Sequence, residues 1–259
     1  MPLPAELAAV AVGRPTRCVW QNQEGGLTFE IGFGEPGERH FVKWVGLAQA
    51  DHLDAEAERL AWAGRFVAVP HVVDHGRSAD GAWLVTVALP GANAVAARWR
   101  AEPGTAVRAV GAGLRAFHDA LPVTDCPFSW SVADRLADVH RRDDIGLVDP
   151  SAWFDQHRRL GRRRALEVVE GPPPVDQLVV GHGDACVPNT LIGDDGRWTG
   201  HVDLGALGVA DRWADLAVAT WSTVWNYGPG WEEALLEAYG VEPDPERTAY
   251  YQLLWDLGP

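Results

Sequence analysis

Val180-Gly181-His182-Gly183-Asp184-Ala185-Cys186-Val187-Pro188-Asn189 runs from apolar strand residues into a loop carrying a histidine, a glycine and an aspartate, with an asparagine closing it. A short hairpin pattern follows, and then Asp203-Leu204-Gly205. Phosphoryl transfer needs these groups. One carboxylate accepts or orients the proton of an attacking hydroxyl, while an amide oxygen and a second carboxylate hold magnesium against nucleotide phosphates. Magnesium takes hard oxygen ligands and keeps several waters, so two protein ligands from short loops suffice.

Upstream, Lys43 lies in a strand pattern, Phe41-Val42-Lys43-Trp44, and Glu56 lies in the helical pattern that follows. A strand lysine grips α- and β-phosphates when a helix glutamate holds its ammonium in place. The turn Glu24-Gly25-Gly26-Leu27-Thr28 offers backbone amides that could fold over the same phosphates. Each piece alone has an ordinary structural explanation: a solvated strand lysine, a hairpin turn, an aspartate before a glycine. Their order along the chain points to a kinase.

The segments around these residues give the architecture. Cys18 to Trp20, Phe29 to Phe33, His40 to Trp44, Val67 to Val73 and Trp83 to Val87 read as strands. The turns fall at Gly25-Gly26 and Gly34 to Gly37, and Leu53 to Ala63 has helical periodicity. Pro90-Gly91 marks a lobe boundary. Beyond it, helices are expected over Thr105 to Leu121, Ser131 to Arg142, Ala152 to Glu170, Arg212 to Val224, Trp231 to Tyr239 and Pro245 to Trp255. Short strands are expected at Gln177 to Val180, Leu191-Ile192 and His201-Val202.

Composition narrows the function. The 259 residues are 47% hydrophobic, enough for one large domain or two lobes. A net charge of −14 disfavours nucleic acid and suits a cationic ligand. Cys18, Cys126 and Cys186 fit no metal or redox spacing and read as reduced thiols of a cytoplasmic protein. The first residues do not read as a signal peptide, and no stretch reads as a membrane span.

The chain resembles the aminoglycoside phosphotransferases, relatives of the protein kinases. His182 to Asn189 is similar to that family's HGDxxxxN loop, Asp203-Leu204-Gly205 to its DxG motif, and Leu207 to Ala217 to its G-x-A-D-R-x-x-D-L-A segment. Fainter echoes lie at Leu114 to His118, Cys126 to Phe128 and Tyr250 to Leu254. The resemblance implies an α+β, bilobal protein-kinase-like fold: a small β-rich nucleotide-binding lobe over 1–90 and a larger, mainly helical catalytic and substrate-binding lobe over 91–259. It implies Asp184 as catalytic carboxylate, Asn189 and Asp203 as magnesium ligands, and Lys43 with Glu56 as the phosphate-gripping pair. Gly25, Gly26 and Thr28 would lie over the nucleotide, and Val87, Ala88 and Leu89 would form a hinge facing its base. His182 would brace the loop, and Asp211 and Asp215 would tie the magnesium loop to the next helix.

The donor would be ATP or GTP with magnesium, and the acceptor a hydroxyl of a polycationic aminoglycoside, so that the enzyme confers resistance as a monomer or weak dimer. Other small alcohols are the nearest alternative, and a non-catalytic nucleotide-binding protein is the alternative of another class. A histidine-based metal hydrolase is disfavoured because no second histidine stands at ligand spacing. Carboxylates for the acceptor would come from Asp143, Asp144, Asp155, Glu232, Glu233 and Asp256, beside a wall of Trp221, Trp225 and Trp231. Two positions depart from the pattern. Ala206 stands where many 3′ enzymes have arginine, and the ending Leu254 to Pro259 lacks their acidic-acidic-Phe-Phe tail.

Overall fold

The β-branched and aromatic runs of the first ninety residues pair into an antiparallel sheet. Its strands are β1 (Thr16–Gln21), β2 (Leu27–Ile31), β3 (His40–Val45), β4 (Val72–Arg77) and β5 (Ala82–Val87), in the order β1-β2-β3-β5-β4. The computed structural model describes residues 4, 7, 8, 11, 13–22, 25–34 and 38–258. Glu24 of the glycine turn and residues 35–37 of the next turn lie outside them. Register sets the two faces. Val42 on β3 stands between Phe29 and Val85, and with Leu27 and Ile31 these side chains form one buried cluster. Lys43 is one residue on, so it points to the other face, between Thr28 and Leu84.

Helix α1 (Ala50–Ala63) packs against β3, β4 and β5. Its buried residues include Leu53, Glu56, Ala57 and Leu60, which recur at three- and four-residue spacing on one face. Glu56 is therefore carried inward by the same periodicity that buries its apolar neighbours.

The rest of the chain is mainly helical. Its principal helices are α2 (Ala97–Ala101), α3 (Pro103–Ala120), α4 (Val132–Asp144), α5 (Asp155–Arg158), α6 (Arg162–Val169), α7 (Trp213–Tyr227), α8 (Glu232–Tyr239) and α9 (Pro245–Asp256). Ser131 caps α4 by accepting from the Asp134 N–H, and Asp244 caps α9 by accepting from Arg247. Helices α3 and α8 approach closely because Gly111 has no side chain: a Cβ there would lie 2.4 Å from the Leu235 carbonyl oxygen. Trp99, Leu114, Trp213, Leu216 and Leu254 anchor the core these helices share. The remaining strands are short: β6 (Ala92–Asn93), β7 (Leu178–Gly181), β8 (Thr190–Ile192), β9 (Trp198–His201) and β10 (Gly208–Asp211). They form a β10-β7 pair and a β6-β8-β9 sheet.

The chain divides into two compact units, Met1–Pro90 with Gly200–Gly205, and Gly91–Thr199 with Ala206–Pro259. The expected lobe boundary falls at Pro90-Gly91, and residues 200–205 go with the first unit. The single helix expected over Ala152 to Glu170 is broken. Pro150 opens a 3₁₀ turn, α5 is one turn long, and Gly161 at φ 71° separates it from α6. The strand expected at Val67 to Val73 falls later, at β4. As an edge strand it carries exposed polar residues such as Asp74 and His75, which give little hydrophobic signal. No helix among the described residues is long and apolar enough to cross a membrane.

Candidate active site

In the first unit, Lys43 Nζ donates to both carboxylate oxygens of Glu56, each at 2.7 Å, and to Asp203 Oδ1 at 2.8 Å. The Lys43 side chain is 26% exposed and that of Glu56 6%, so the ammonium reaches the surface while its anchor does not. Burial works against the Lys43 charge, but the Asp203 and Glu56 carboxylates outweigh it and hold the ammonium above lysine's ordinary pKa. Burial pushes Glu56 up, with Lys43 opposing it. Asp203 has φ 66°, the one positive value among the described non-glycine residues. Aspartate tolerates this left-handed conformation better than most residues, yet it is a strained one of the kind that gathers at functional loops.

The glycine turn differs from expectation. Gly25 N–H donates to the Asn22 carbonyl at 3.2 Å and Gly26 N–H to Asn22 Oδ1 at 2.6 Å. Both amides close the turn and are not presented to a phosphate, and Thr28 is a ladder residue opposite Lys43. In the hinge segment, Val87 N–H is bonded to the His71 carbonyl and Ala88 N–H to that of Arg39. Leu89 N–H has no partner among the described residues.

In the second unit, the loop from His182 to Asn189 joins β7 to β8. Asn189 Nδ2 donates to the Asp184 carbonyl at 2.9 Å and to Asp184 Oδ2 at 3.1 Å. Asp184 Oδ1 is buried and has no partner among the described residues. One oxygen is thus held and the other left to accept a proton or a hydroxyl. The loop itself is held from several sides. Asp215 accepts from His182 N–H at 2.6 Å, Gly183 N–H at 2.9 Å and His118 Nε2 at 3.0 Å. Val187 N–H donates to Ser222 Oγ at 3.0 Å, and Asn93 donates to the Pro188 carbonyl. Gly183 sits at φ 82°, and a Cβ there would meet the Ala206 carbonyl oxygen at 2.2 Å, so only glycine fits. His182 is fully buried and its Nδ1 accepts from Asp184 N–H at 3.3 Å, a bracing contact. Ala206, where arginine was noted as missing, packs tightly against Gly183.

Asp215 does more than the sequence suggested. It secures the His182–Gly183 backbone, not the Asp203 loop, while Asp211 accepts from Asp176 N–H at 2.8 Å and Trp213 N–H at 3.0 Å at the start of α7. Burial alone would raise the Asp215 pKa. The His118 hydrogen bond, with the charges of His118 and His182, more than offsets it and holds the carboxyl below its ordinary value. A lowered folded-state pKa gives stability that is complete above the unfolded value, near 4, and is lost as pH falls through the folded value. Asp215→Asn is expected to cost about 3–5 kcal/mol, as when one partner of a buried pair is removed. Melts from about pH 6 down to about pH 3 check this: the gap between wild type and variant narrows with acidification.

The acceptor candidates scatter. Asp143 is paired with Arg162, and Glu232 accepts from Gly230 N–H at 2.7 Å in the first turn of α8, which also holds Glu233. Asp256 is turned inward. Its side chain is 4% exposed, and Oδ2 accepts from His157 Nδ1 at 2.6 Å and Phe154 N–H at 3.1 Å. It therefore fixes the α5 segment, and this carboxylate oxygen is not left for a ligand. Asp155 is exposed and lines a cavity of about 600 Å³ with Trp153, Phe154, Arg158, Trp221 and Trp225. Trp231 is not among its lining residues. Phe154 was missed in the sequence because nothing local marks it as a partner of Trp225.

A strained aspartate beside a lysine–glutamate pair, a carboxylate–asparagine loop and this order of elements define a kinase-type phosphotransferase. A model of the phosphotransferase enzyme family matches residues 27–251, and the chain belongs to that family. It is 37% identical to an aminoglycoside 3′-phosphotransferase of Streptomyces fradiae, covering 90% of this chain and 91% of the relative. It is 36% identical to a streptomycin 3″-kinase of Streptomyces griseus, covering 82% of each. The crystal structure of a type VIII aminoglycoside-3′-phosphotransferase superposes with a TM-score of 0.83 at 32% identity, covering 97% and 96% of the two chains. An aminoglycoside phosphotransferase of Streptomyces rimosus in complex with ADP and streptomycin superposes at 0.75 with 25% identity, covering 97% and 95%. The α+β, protein-kinase-like fold expected from the sequence is the fold of these enzymes.

Proposed function

We propose that this chain transfers the γ-phosphoryl group of ATP or GTP to a hydroxyl of an aminoglycoside antibiotic and so confers resistance to it. The relatives support the reading through their names and through the complex with ADP and streptomycin. The observation that carries it is Asp184, with one carboxylate oxygen held by Asn189 and the other buried without a protein partner.

The residues fit a magnesium-linked nucleotide by donor chemistry. Asn189 commits its amide nitrogen to Asp184, which leaves its carbonyl oxygen as a hard donor, and Asp203 offers a carboxylate. Each would offer magnesium a hard oxygen, and the ion would supply neutralisation of phosphate charge. Lys43, fixed by Glu56, grips the phosphates as a cation. Leu89 in the hinge offers an N–H to the base. Asp184 Oδ1 accepts the hydrogen of the acceptor hydroxyl and aligns it for in-line attack. Catalysis is then positioning and electrostatics, with no covalent intermediate on the protein.

The test is a coupled assay of nucleoside diphosphate release with ATP or GTP, with and without magnesium, against kanamycin-, neomycin- and streptomycin-type acceptors. Magnesium- and acceptor-dependent release supports the reading. Nucleotide binding without turnover of any acceptor, including other small alcohols, would favour a non-catalytic protein.

A further inference from the structure

Helix α7 grips the His182–Asn189 loop at two points. Asp215, in its first turn, accepts from the N–H groups of His182 and Gly183. Ser222 lies about two turns further along the same face of the helix, and its Oγ accepts from Val187 N–H at 3.0 Å. Ser222 is fully buried. Asn226, one turn beyond, donates through Nδ2 to the Ser222 carbonyl at 2.8 Å and to Ser222 Oγ at 3.2 Å. The hydroxyl oxygen is thus used as an acceptor from two sides. The neighbouring buried hydroxyls behave differently: Thr220 donates to the carbonyls of Leu216 and Ala217, and Thr223 to that of Thr220, all on α7 itself.

What Ser222 holds is the start of a stiff link. Val187 is fully buried and opens the 3₁₀ turn Val187–Asn189. The first N–H of such a turn has no acceptor within it, so without the Ser222 oxygen a buried donor would be stranded. Pro188, in the middle, fixes its own φ. The turn ends on Asn189, whose Nδ2 bonds the Asp184 carbonyl and Asp184 Oδ2. The Asp184 carboxylate therefore stands between two anchors of one helix, Asp215 before it and Ser222 after it.

We propose that Ser222 is a positioning residue for phosphoryl transfer: its hydroxyl oxygen, acting through Val187 N–H and the Val187–Asn189 turn, sets the place of Asn189 and the aim of Asp184 Oδ1. The proposal rests on the reading of this chain as a kinase, and it gives α7 a part in the reaction through the backbone of the loop.

Ser222→Ala, Thr223→Val, Asp184→Asn and wild type are compared by steady-state kinetics and by backbone amide hydrogen exchange of the ligand-free protein. Ser222→Ala is expected to lower kcat by about ten- to a hundredfold while the acceptor KM stays within about threefold, the pattern of a misplaced catalytic group. Exchange across residues 184–189 becomes faster by at least about tenfold in the same variant, because the anchored N–H is released. Thr223→Val removes a hydroxyl of equal burial that is bonded only within the helix. It is expected to keep kcat within about twofold and loop exchange at the wild-type rate. A kcat for Ser222→Ala within about twofold of wild type, an equal fall in both variants, or unchanged loop exchange overturns the inference and leaves the kinase reading intact. Absence of Asp184-dependent turnover in the wild type overturns the kinase reading and the inference with it.

Discussion

Asp184→Asn is expected to lower acceptor-dependent turnover by about a hundred- to ten-thousandfold, the range of a lost general base, while the protein melts close to wild type. The two halves of this expectation come from the two oxygens of one side chain. Oδ2 is held by Asn189 at 3.1 Å, a bond an asparagine oxygen can keep, so the loop retains its form. Oδ1 is buried without a protein partner, and no structural bond is lost when its charge is removed. Parallel measurement of kcat and of the thermal midpoint separates the effects. A large fall in midpoint would mean that Asp184 holds the loop and not the acceptor.

Lys43→Met is expected to raise the nucleotide KM by about ten- to a hundredfold, the scale of a charged hydrogen bond, and to lower stability as well. The stability loss arises because Glu56, 6% exposed, loses the ammonium bonded to both of its oxygens. The double variant Lys43→Met/Glu56→Gln removes the stranded charge, so it recovers much of the midpoint but none of the nucleotide affinity. Recovery of both would show that the pair is structural only.

The parts of this arrangement legible in the sequence are those set by local chemistry. The aspartate–asparagine loop and Asp203-Leu204-Gly205 stood out because strand residues ran into short polar turns. Glu56 was legible only by its place in the helical pattern after the strand lysine; that it shares the buried stripe with Leu53 and Leu60 is seen in the structure. What could not be read depends on distant partners. The donors that hold Asp215 come from His182, Gly183 and His118, all more than thirty residues away. The inward turn of Asp256 depends on His157, and the stack on Trp225 depends on Phe154, which is distant from it in sequence. Gly161, at φ 71° ahead of α6, interrupts a stretch that reads as one long helix. The amides of Gly25 and Gly26 were spent on Asn22, a use that no spacing rule anticipates.

The most direct test of the central claim follows the transferred group itself. ATP or GTP labelled in the γ-phosphoryl is incubated with magnesium, an aminoglycoside and either wild type or Asp184→Asn, and the label is traced. The account predicts label covalently bound to the antibiotic in amounts matching the nucleoside diphosphate formed, with little in the variant. Label appearing only as inorganic phosphate, or on the antibiotic equally with both proteins, would contradict it.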